Sequence, residues 1–237
     1  MNQIINTYHM NNINENIFFE ILKYLSNNDC LNIFLVNKYF YEILKTNYIW
    51  KYKVESECIE LYKNNKLDYL DCYILYCKLL IVKNKLNIKE EISELQNLQK
   101  LNLHGNQIKE ILKELGNLQN LQILYLSYNQ IKEIPKELGN LKNLQILYLD
   151  NNRINEIPKE LANLQNLREL SLSNNKIIEI PKEFANLQNL EELYLRNNLI
   201  KEIPTQLSNL QNLNIFDLAY NQITEIHSEL ANLPINL

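Results

Sequence analysis

Leucine recurs at a fixed interval through the second part of the chain, and this interval constrains the fold more than any other feature. One series, 23 residues apart, is Leu95, Leu118, Leu141, Leu164, Leu187, Leu210 and Leu233. A second series keeps the same step, at Leu98, Leu121, Leu144, Leu167, Leu190 and Leu213. Periods of about 20–50 residues are typical of solenoids, in which each copy is one coil that packs on the next. We therefore predict a stacked array.

Two shorter periods coexist inside each copy. In the third copy Leu147-Tyr148-Leu149 alternates between apolar and polar-tipped side chains, which predicts a short strand. Ile154, Ile157 and Leu161 follow at spacings of three and four, and Pro158 disfavours a long regular helix among them. One copy is therefore predicted to run from a strand through a turn into an irregular or 3₁₀-like return arc.

Asparagine also recurs with the repeat, just after each predicted strand. The amide side chain carries a donor and an acceptor, so a buried Asn can satisfy backbone groups that a tight turn leaves unpaired. We predict a structural ladder that touches no ligand, formed by Asn106, Asn129, Asn152, Asn175, Asn198 and Asn221.

The third copy, residues 141–163, closely resembles the leucine-rich repeat. The resemblance implies an α/β solenoid, a horseshoe with a parallel sheet on its concave side. We assign residues 88–237 to this domain, as about six repeats with a truncated last one, because the sequence stops at Leu233-Pro-Ile-Asn-Leu237 without a polar cap. We expect either a longer natural chain or an apolar edge covered by a partner or by a second copy of the chain.

Isoleucine and tyrosine cluster at the outward positions of the predicted strands. Tyr offers a large contact area at low entropic cost, and exposed apolar clusters usually mark interaction sites. We predict a target-binding concave face composed of Ile123, Tyr125, Tyr128, Ile146, Tyr148, Asp150, Glu192, Tyr194, Arg196 and Asp217. The alternative is that β-propensity and a composition rich in Tyr and Ile place them there.

The first part of the chain has helical periodicity. Ile21-Leu22-Lys23-Tyr24-Leu25, then Asp29-Cys30-Leu31, then Ile49-Trp50-Lys51 resemble an F-box. The resemblance covers residues 13–53 and departs where the family has Leu-Pro, since Ile13-Asn14 stands there. It implies a small all-α domain, followed at residues 54–87 by a helical linker. The residues that it assigns to adaptor binding are Ile17, Ile21, Leu25, Leu31, Val36 and Trp50.

Together the two resemblances imply a substrate receptor. An F-box protein docks on a Skp1-type adaptor and its cullin complex, while the repeats capture the protein to be ubiquitinated. The alternative is a scaffold without a ligase link, because the Ile-Pro-Lys-Glu-Leu arc resembles repeat proteins that bind Ras-like GTPases. No P-loop, metalloprotease or serine-hydrolase motif occurs, so we expect no catalytic residues and no cofactor.

Charge and cysteine usage exclude further classes. The formal net charge is −4, so the chain lacks the basic field that nucleic acid requires. The four cysteines (Cys30, Cys58, Cys72 and Cys77) include no Cys-x-x-Cys pair, and we expect reduced thiols and no metal. The sequence has no signal peptide and no membrane-spanning apolar run. We therefore expect an intracellular protein, cytoplasmic or nuclear.

Overall fold

The computed structural model describes residues 92–237 together with Val82 and Leu86. From Val82 onward the chain forms one compact unit. The F-box-like segment, the greater part of the predicted linker and the lead-in before Ile92 lie outside the described residues, so the predicted domain boundaries stay predictions. Among the described residues, no helix has the length and apolar character needed to cross a bilayer.

A parallel sheet organises the described part of the chain. It has seven strands in sequence order. From β1 to β6 each strand pairs with the next at equivalent positions of the repeat, as in Ile123↔Ile146 and Tyr125↔Tyr148. β7 pairs with β6 in a shifted register, as in Phe216↔Ile235. The strands are β1 (Lys100–Asn102), β2 (Ile123–Tyr125), β3 (Ile146–Tyr148), β4 (Glu169–Ser171), β5 (Glu192–Tyr194), β6 (Ile215–Asp217) and β7 (Ile235–Asn236). The parallel sheet predicted from the repeat is confirmed.

Short 3₁₀ helices return the chain from each strand to the next. They span Lys113–Asn117, Lys136–Asn140, Lys159–Asn163, Lys182–Asn186, Thr205–Asn209 and Ser228–Leu230, and α1 (Ile92–Leu95) precedes β1. Pro135, Pro158, Pro181 and Pro204 each stand immediately before one of them. Proline fixes φ and lacks an N–H, so it fits the residue before a short helix. The predicted 3₁₀-like arc is confirmed. We number the coils 1–6, so that each coil begins with the strand of the same number and ends before the next strand.

The core lies between the sheet and the return arcs. The central residue of each of strands β1–β6 is buried, for example Leu124 and Leu147 at 0% exposure, whereas the residues on either side point outward. The two periodic leucine series fill the same interior, except that Leu98 and Leu233, near the ends of the described array, are only partly buried. Phe184 and Phe216 take leucine positions of the repeat and are also fully buried. Because each coil buries its leucines against the next coil, stability is shared along the array.

Two glycines mark the closest approach between neighbouring return arcs. A Cβ at Gly116 would collide with the backbone carbonyl of Glu137, and one at Gly139 would collide with that of Glu160. The next coil has the buried Ala162 at the equivalent position. The first arcs are therefore packed more closely than those that follow.

Candidate functional site

The outward side chains of β1–β6, with the second and third residues after each strand, form one continuous surface, which we call the sheet face. All ten residues predicted to bind a target lie on it. Eight are partly buried, whereas Tyr128 and Arg196 are exposed. The structure thus brings the predicted set together, and its role in binding stays a prediction.

An aromatic and aliphatic row occupies coils 2 and 3 of this face. The rings of Tyr125 and Tyr148 lie with their centroids 5.2 Å apart. Ile123 and Ile146 are in register beside them on β2 and β3. Lys100 places its Nζ 5.1 Å from the Tyr125 ring centroid, at the coil 1 end of the row. Such cross-strand pairs stabilise a sheet, which accounts for part of this clustering without a partner.

Carboxylates follow in coils 4 and 5. The Tyr148 hydroxyl donates to Oε2 of Glu169 across the coil boundary, and the Tyr194 hydroxyl donates to Oε2 of Glu192 at 2.7 Å. Burial, and after it the hydrogen bond to Glu169, raises the pKa of Tyr148 above its ordinary value. The hydrogen bond to Glu192, and after it burial, raises the pKa of Tyr194 to about 12. Both tyrosines are therefore held neutral as donors to the carboxylates.

Two further carboxylates are fixed at the ends of the strands. Asp150 accepts hydrogen bonds from the Ser127 hydroxyl at 2.6 Å and from the Asn151 amide at 2.8 Å. Asp217 accepts the Ala219 backbone N–H at 3.1 Å. These bonds hold both carboxylates in fixed positions on the sheet face.

The third residue after each of strands β1–β6 has an unusual backbone. At this position φ is positive in every one of coils 1–6, and the residues are Gly105, Tyr128, Asn151, Asn174, Asn197 and Tyr220. Gly and Asn tolerate the left-handed region, whereas a side chain such as Tyr does so at a cost. Tyr128 is nevertheless 58% exposed and Tyr220 71% exposed. The ring centroids of Tyr128 and His104 are 5.0 Å apart, and the Arg196 guanidinium lies 4.4 Å from the Tyr220 ring centroid.

The periodic asparagines behind these turns bond to backbone groups of two coils. Asn175 is typical, since its Oδ1 accepts the N–H of Ile154 at 3.0 Å. Its Nδ2 donates to the carbonyls of Leu149 at 3.0 Å and Leu172 at 2.9 Å. The same contacts recur for Asn129, Asn152, Asn198 and Asn221.

Asn106 departs from the predicted ladder. Its side chain is exposed, and among the described residues it donates only to the carbonyl of His104, two residues away, at 3.1 Å. It belongs to coil 1, and the residues that would form a preceding coil lie outside the described part of the chain. Its described side-chain contact is local, in contrast to those of Asn129.

A second asparagine ladder escaped the sequence reasoning. At the other end of the strands, three residues before each of β2–β6, one Asn amide donates to a carbonyl 24 residues earlier, at 2.7 to 2.9 Å. The 23-residue recurrence of this series was visible in the sequence and would have revealed it. Its members are Asn120, Asn143, Asn166, Asn189 and Asn212.

Some residues of interest were not predicted, and others lie out of reach. Glu169 and the exposed Tyr220 belong to the sheet face but were absent from the predicted binding set. A tyrosine at a position otherwise held by Asn or Gly was the available signal for Tyr220. Within the described residues, no group of three or more His, Cys, Asp or Glu side chains converges as metal ligands do. The six predicted adaptor-binding residues, from Ile17 to Trp50, lie outside the described part.

Comparisons with known proteins address this same region. The family model described as a leucine-rich repeat region matches residues 77–173, and a model of two leucine-rich repeats matches residues 165–208 and 188–232. These matches begin at residue 77 and do not reach the F-box-like residues. A search of curated proteins found no match.

Solved structures with the same architecture come from bacteria and plants. A leucine-rich-repeat protein of Leptospira interrogans is 38% identical over 62% of this chain, with a TM-score of 0.57. The ectodomain of the receptor kinase GASSHO1/SCHENGEN3 of Arabidopsis thaliana, in complex with Casparian strip integrity factor 2, is 35% identical over 60%, with a TM-score of 0.56. The plant peptide hormone receptor RGFR1, in complex with RGF2, is 32% identical over 58%, with a TM-score of 0.51.

This chain spans only part of each of those proteins, namely 40%, 18% and 23% of their respective lengths. The shared part is the repeat array. The family models and the structural similarity agree with the seven-stranded parallel sheet and its 23-residue coils. The chain is therefore a leucine-rich-repeat protein, whose repeat region extends through residues 77–232.

Proposed function

We propose that this chain is a non-catalytic recognition subunit, whose sheet face captures a partner protein for a Skp1–cullin–F-box type ubiquitin ligase. Capture rests on one observation above all. Tyr128 and Tyr220 present their rings to solvent, at 58% and 71% exposure, from left-handed backbone positions.

The energetics of those two positions support a role in binding. The left-handed conformation costs an L-residue about 1–2 kcal/mol, and Asn or Gly reduces that cost. The middle coils use Asn151, Asn174 and Asn197 at this position. A ring that remains largely exposed recovers little of the cost through burial. Contact with a partner supplies the missing benefit, since Tyr is enriched where proteins bind.

The similar solved structures support the same reading of the sheet face. Two of them are leucine-rich-repeat receptors described in complex with a second molecule, and one of these is called a peptide hormone receptor. From these receptors we transfer to this chain only their general task, which is recognition of a polypeptide by the repeat array. The sequence of the sheet face, not the fold, then selects the partner.

The ligase connection rests on the F-box-like residues 13–53. In this proposal Leu25 and Leu31 contribute to the surface that holds a Skp1-type adaptor. The chain supplies no chemistry of its own. It raises the effective concentration of a target lysine near the charged ubiquitin carrier, and ligase partners perform the transfer.

The first experiment is a pull-down of the full chain with a purified Skp1-type adaptor. We expect the native chain to bind and the Leu25→Asp, Leu31→Asp variant to lose binding. The matched control is Tyr125→Ala with Tyr148→Ala, which alters the sheet face and is expected to retain adaptor binding. Failure of the folded native chain to bind would refute the ligase link. A nucleotide-loaded Ras-like GTPase would then be the next partner to test.

Partner capture is tested separately by cross-linking. A partner that belongs to the sheet face should lose cross-links when Tyr128→Ala and Tyr220→Ala are combined. Ile178→Ala is the matched control, because Ile178 is 52% exposed and lies off the sheet face, in the loop after β4. Equal loss in both variants would contradict the assignment of capture to the sheet face.

A further inference from the structure

The sheet face differs in chemistry along the array, and the difference specifies what kind of segment fits it. Coils 2 and 3 present Ile123, Tyr125, Ile146 and Tyr148. At the register positions of Ile123 and Ile146, the next two strands carry Glu169 and Glu192 instead. The face therefore has an apolar half, defined by those first four residues, and an acidic half, centred on Glu169 and Glu192.

The two central carboxylates lie side by side without a cation. Glu169 and Glu192 are direct register partners on β4 and β5, so their backbones are about 4.8 Å apart. Like charges placed directly opposite each other on a sheet are destabilising. In the part of the chain that the structure describes, no Lys, Arg or His side chain lies within 4.0 Å of either carboxylate.

The nearby cations are occupied elsewhere. Arg168 forms an ion pair with Glu191 at 3.4 Å, just before the starts of β4 and β5. Arg196 covers the Tyr220 ring. Lys100 covers the Tyr125 ring and lies on β1, three strands away from Glu169. With Asp150 and Asp217 included, the sheet face of coils 3–6 carries four carboxylates and one cationic side chain, the guanidinium of Arg196. The acidic half is therefore electrostatically incomplete, and a cationic group on a partner would complete it.

The carboxylates are also held in place for such a group. Tyr148 and Tyr194 each donate a hydroxyl to one of them, which fixes the rotamers while leaving the other oxygen, Oε1, without a hydrogen bond among the described residues. A pre-oriented acceptor loses less side-chain entropy when it binds. Lys or Arg side chains are the protein groups that suit this arrangement.

We propose that the segment recognised by the sheet face is an extended, basic peptide, with an apolar side chain on the apolar half and lysine or arginine on the acidic half. This inference rests on the proposed function and gives its partner a chemistry. The centres of the two halves are two strand spacings apart, or about 10 Å. An extended chain covers that distance in about three residues. The recognised segment thus carries a basic residue about three positions from an aliphatic or aromatic one.

The test is selection of a displayed random peptide library on the full chain, compared with two charge-matched variants. Glu169→Gln with Glu192→Gln keeps both acceptors for the tyrosines and removes both charges. Glu133→Gln with Glu156→Gln makes the same change in net charge at exposed positions of the return arcs. We expect selected peptides to be enriched in Lys or Arg at the stated spacing. Their affinity should fall about ten-fold for the sheet-face variant alone, as two partly exposed ion pairs predict.

The outcomes separate this inference from the proposed function. Selected peptides that need Tyr125 and Tyr148 but show no basic enrichment would overturn the inference and leave capture by the sheet face intact. Peptides that bind equally well to a Tyr125→Ala, Tyr148→Ala variant would overturn both. An equal loss of affinity in the two charge-matched variants would show a response to net charge only and would also overturn the inference.

Discussion

Replacing Asn175 by alanine tests whether the asparagine ladder holds neighbouring coils together. The amide accepts the N–H of Ile154, and it donates to the carbonyls of Leu149 and Leu172. Each of those carbonyls also accepts from a neighbouring asparagine of the series, the preceding Asn152 for Leu149 and the following Asn198 for Leu172. Truncation therefore leaves the carbonyls one partner each, and only the Ile154 N–H loses its acceptor.

The expected cost follows from this count. An orphaned buried N–H costs about 1–3 kcal/mol, and each lost neutral hydrogen bond with a remaining alternative costs about 0.5–1 kcal/mol. We expect Asn175→Ala to lower the free energy of unfolding by about 2–5 kcal/mol. Asn106→Ala is the matched control, since it removes one exposed bond of the same residue type, and should cost less than about 1 kcal/mol.

A third variant separates the acceptor role from the donor role. Asn175→Asp keeps an oxygen for the Ile154 N–H but turns a carboxylate oxygen toward the carbonyls of Leu149 and Leu172. It should therefore cost more than alanine. The assay is urea unfolding of the full chain followed by circular dichroism. The reasoning is refuted if Asn175→Ala matches Asn106→Ala within about 0.5 kcal/mol, or if the aspartate variant is the more stable of the two substitutions.

Three further predictions concern single positions. Tyr220→Asn should raise the free energy of unfolding by about 0.5 kcal/mol, measured by urea unfolding. Removing a tyrosine from the left-handed backbone region gains more than the loss of its exposed cation–π contact costs. A lower free energy of unfolding would contradict the strain argument. Because the folded-state pKa of Tyr194 is about 12, above the unfolded value of about 10, its hydrogen bond contributes stability below pH about 10, which is lost as the pH rises toward about 12. An ultraviolet titration should lose one late-ionising tyrosine in Tyr194→Phe, and an unchanged curve would count against the Tyr194–Glu192 bond. Gly139→Ala should cost about 1–3 kcal/mol by thermal unfolding, since its Cβ meets the Glu160 carbonyl; an unchanged midpoint would show that the arcs separate freely, as the Ala162 coil allows.

The repeat architecture was predictable because it depends on local, repeated chemistry. The alternation in Leu147-Tyr148-Leu149 gave the strand, and Pro158 gave the short arc that the structure has at Lys159–Asn163. A coil that recurs every 23 residues can bury its leucines only against another copy of itself. Strand order and register then follow without further information, and the structure has them in sequence order.

The departures lay where one coil differs from its neighbours. Asn106 fits the asparagine series in sequence, but among the described residues its side-chain amide donates only to His104, within its own coil. The bond from Tyr148 to Glu169 joins two coils, so it depends on rotamers that no period encodes. For the same reason the sequence showed that Ile and Tyr cluster outward, but not that cross-strand packing leaves most of them half-buried.

Repetition in this chain separates what holds the fold from what distinguishes its surface. A residue that recurs in nearly every coil, such as the Asn at position 175, satisfies groups that every coil has. A residue that breaks the series cannot be explained by the coil itself, since the neighbouring coils fold without it. Glu169 stands where Ile146 stands one coil earlier, and Tyr220 stands where Asn197 does. Such positions carry an energetic cost, through adjacent like charges or a strained backbone, and a partner that relieves the cost gains affinity by doing so. Selectivity for the partner should therefore reside in the aperiodic residues of the sheet face, with the periodic ones contributing only their position.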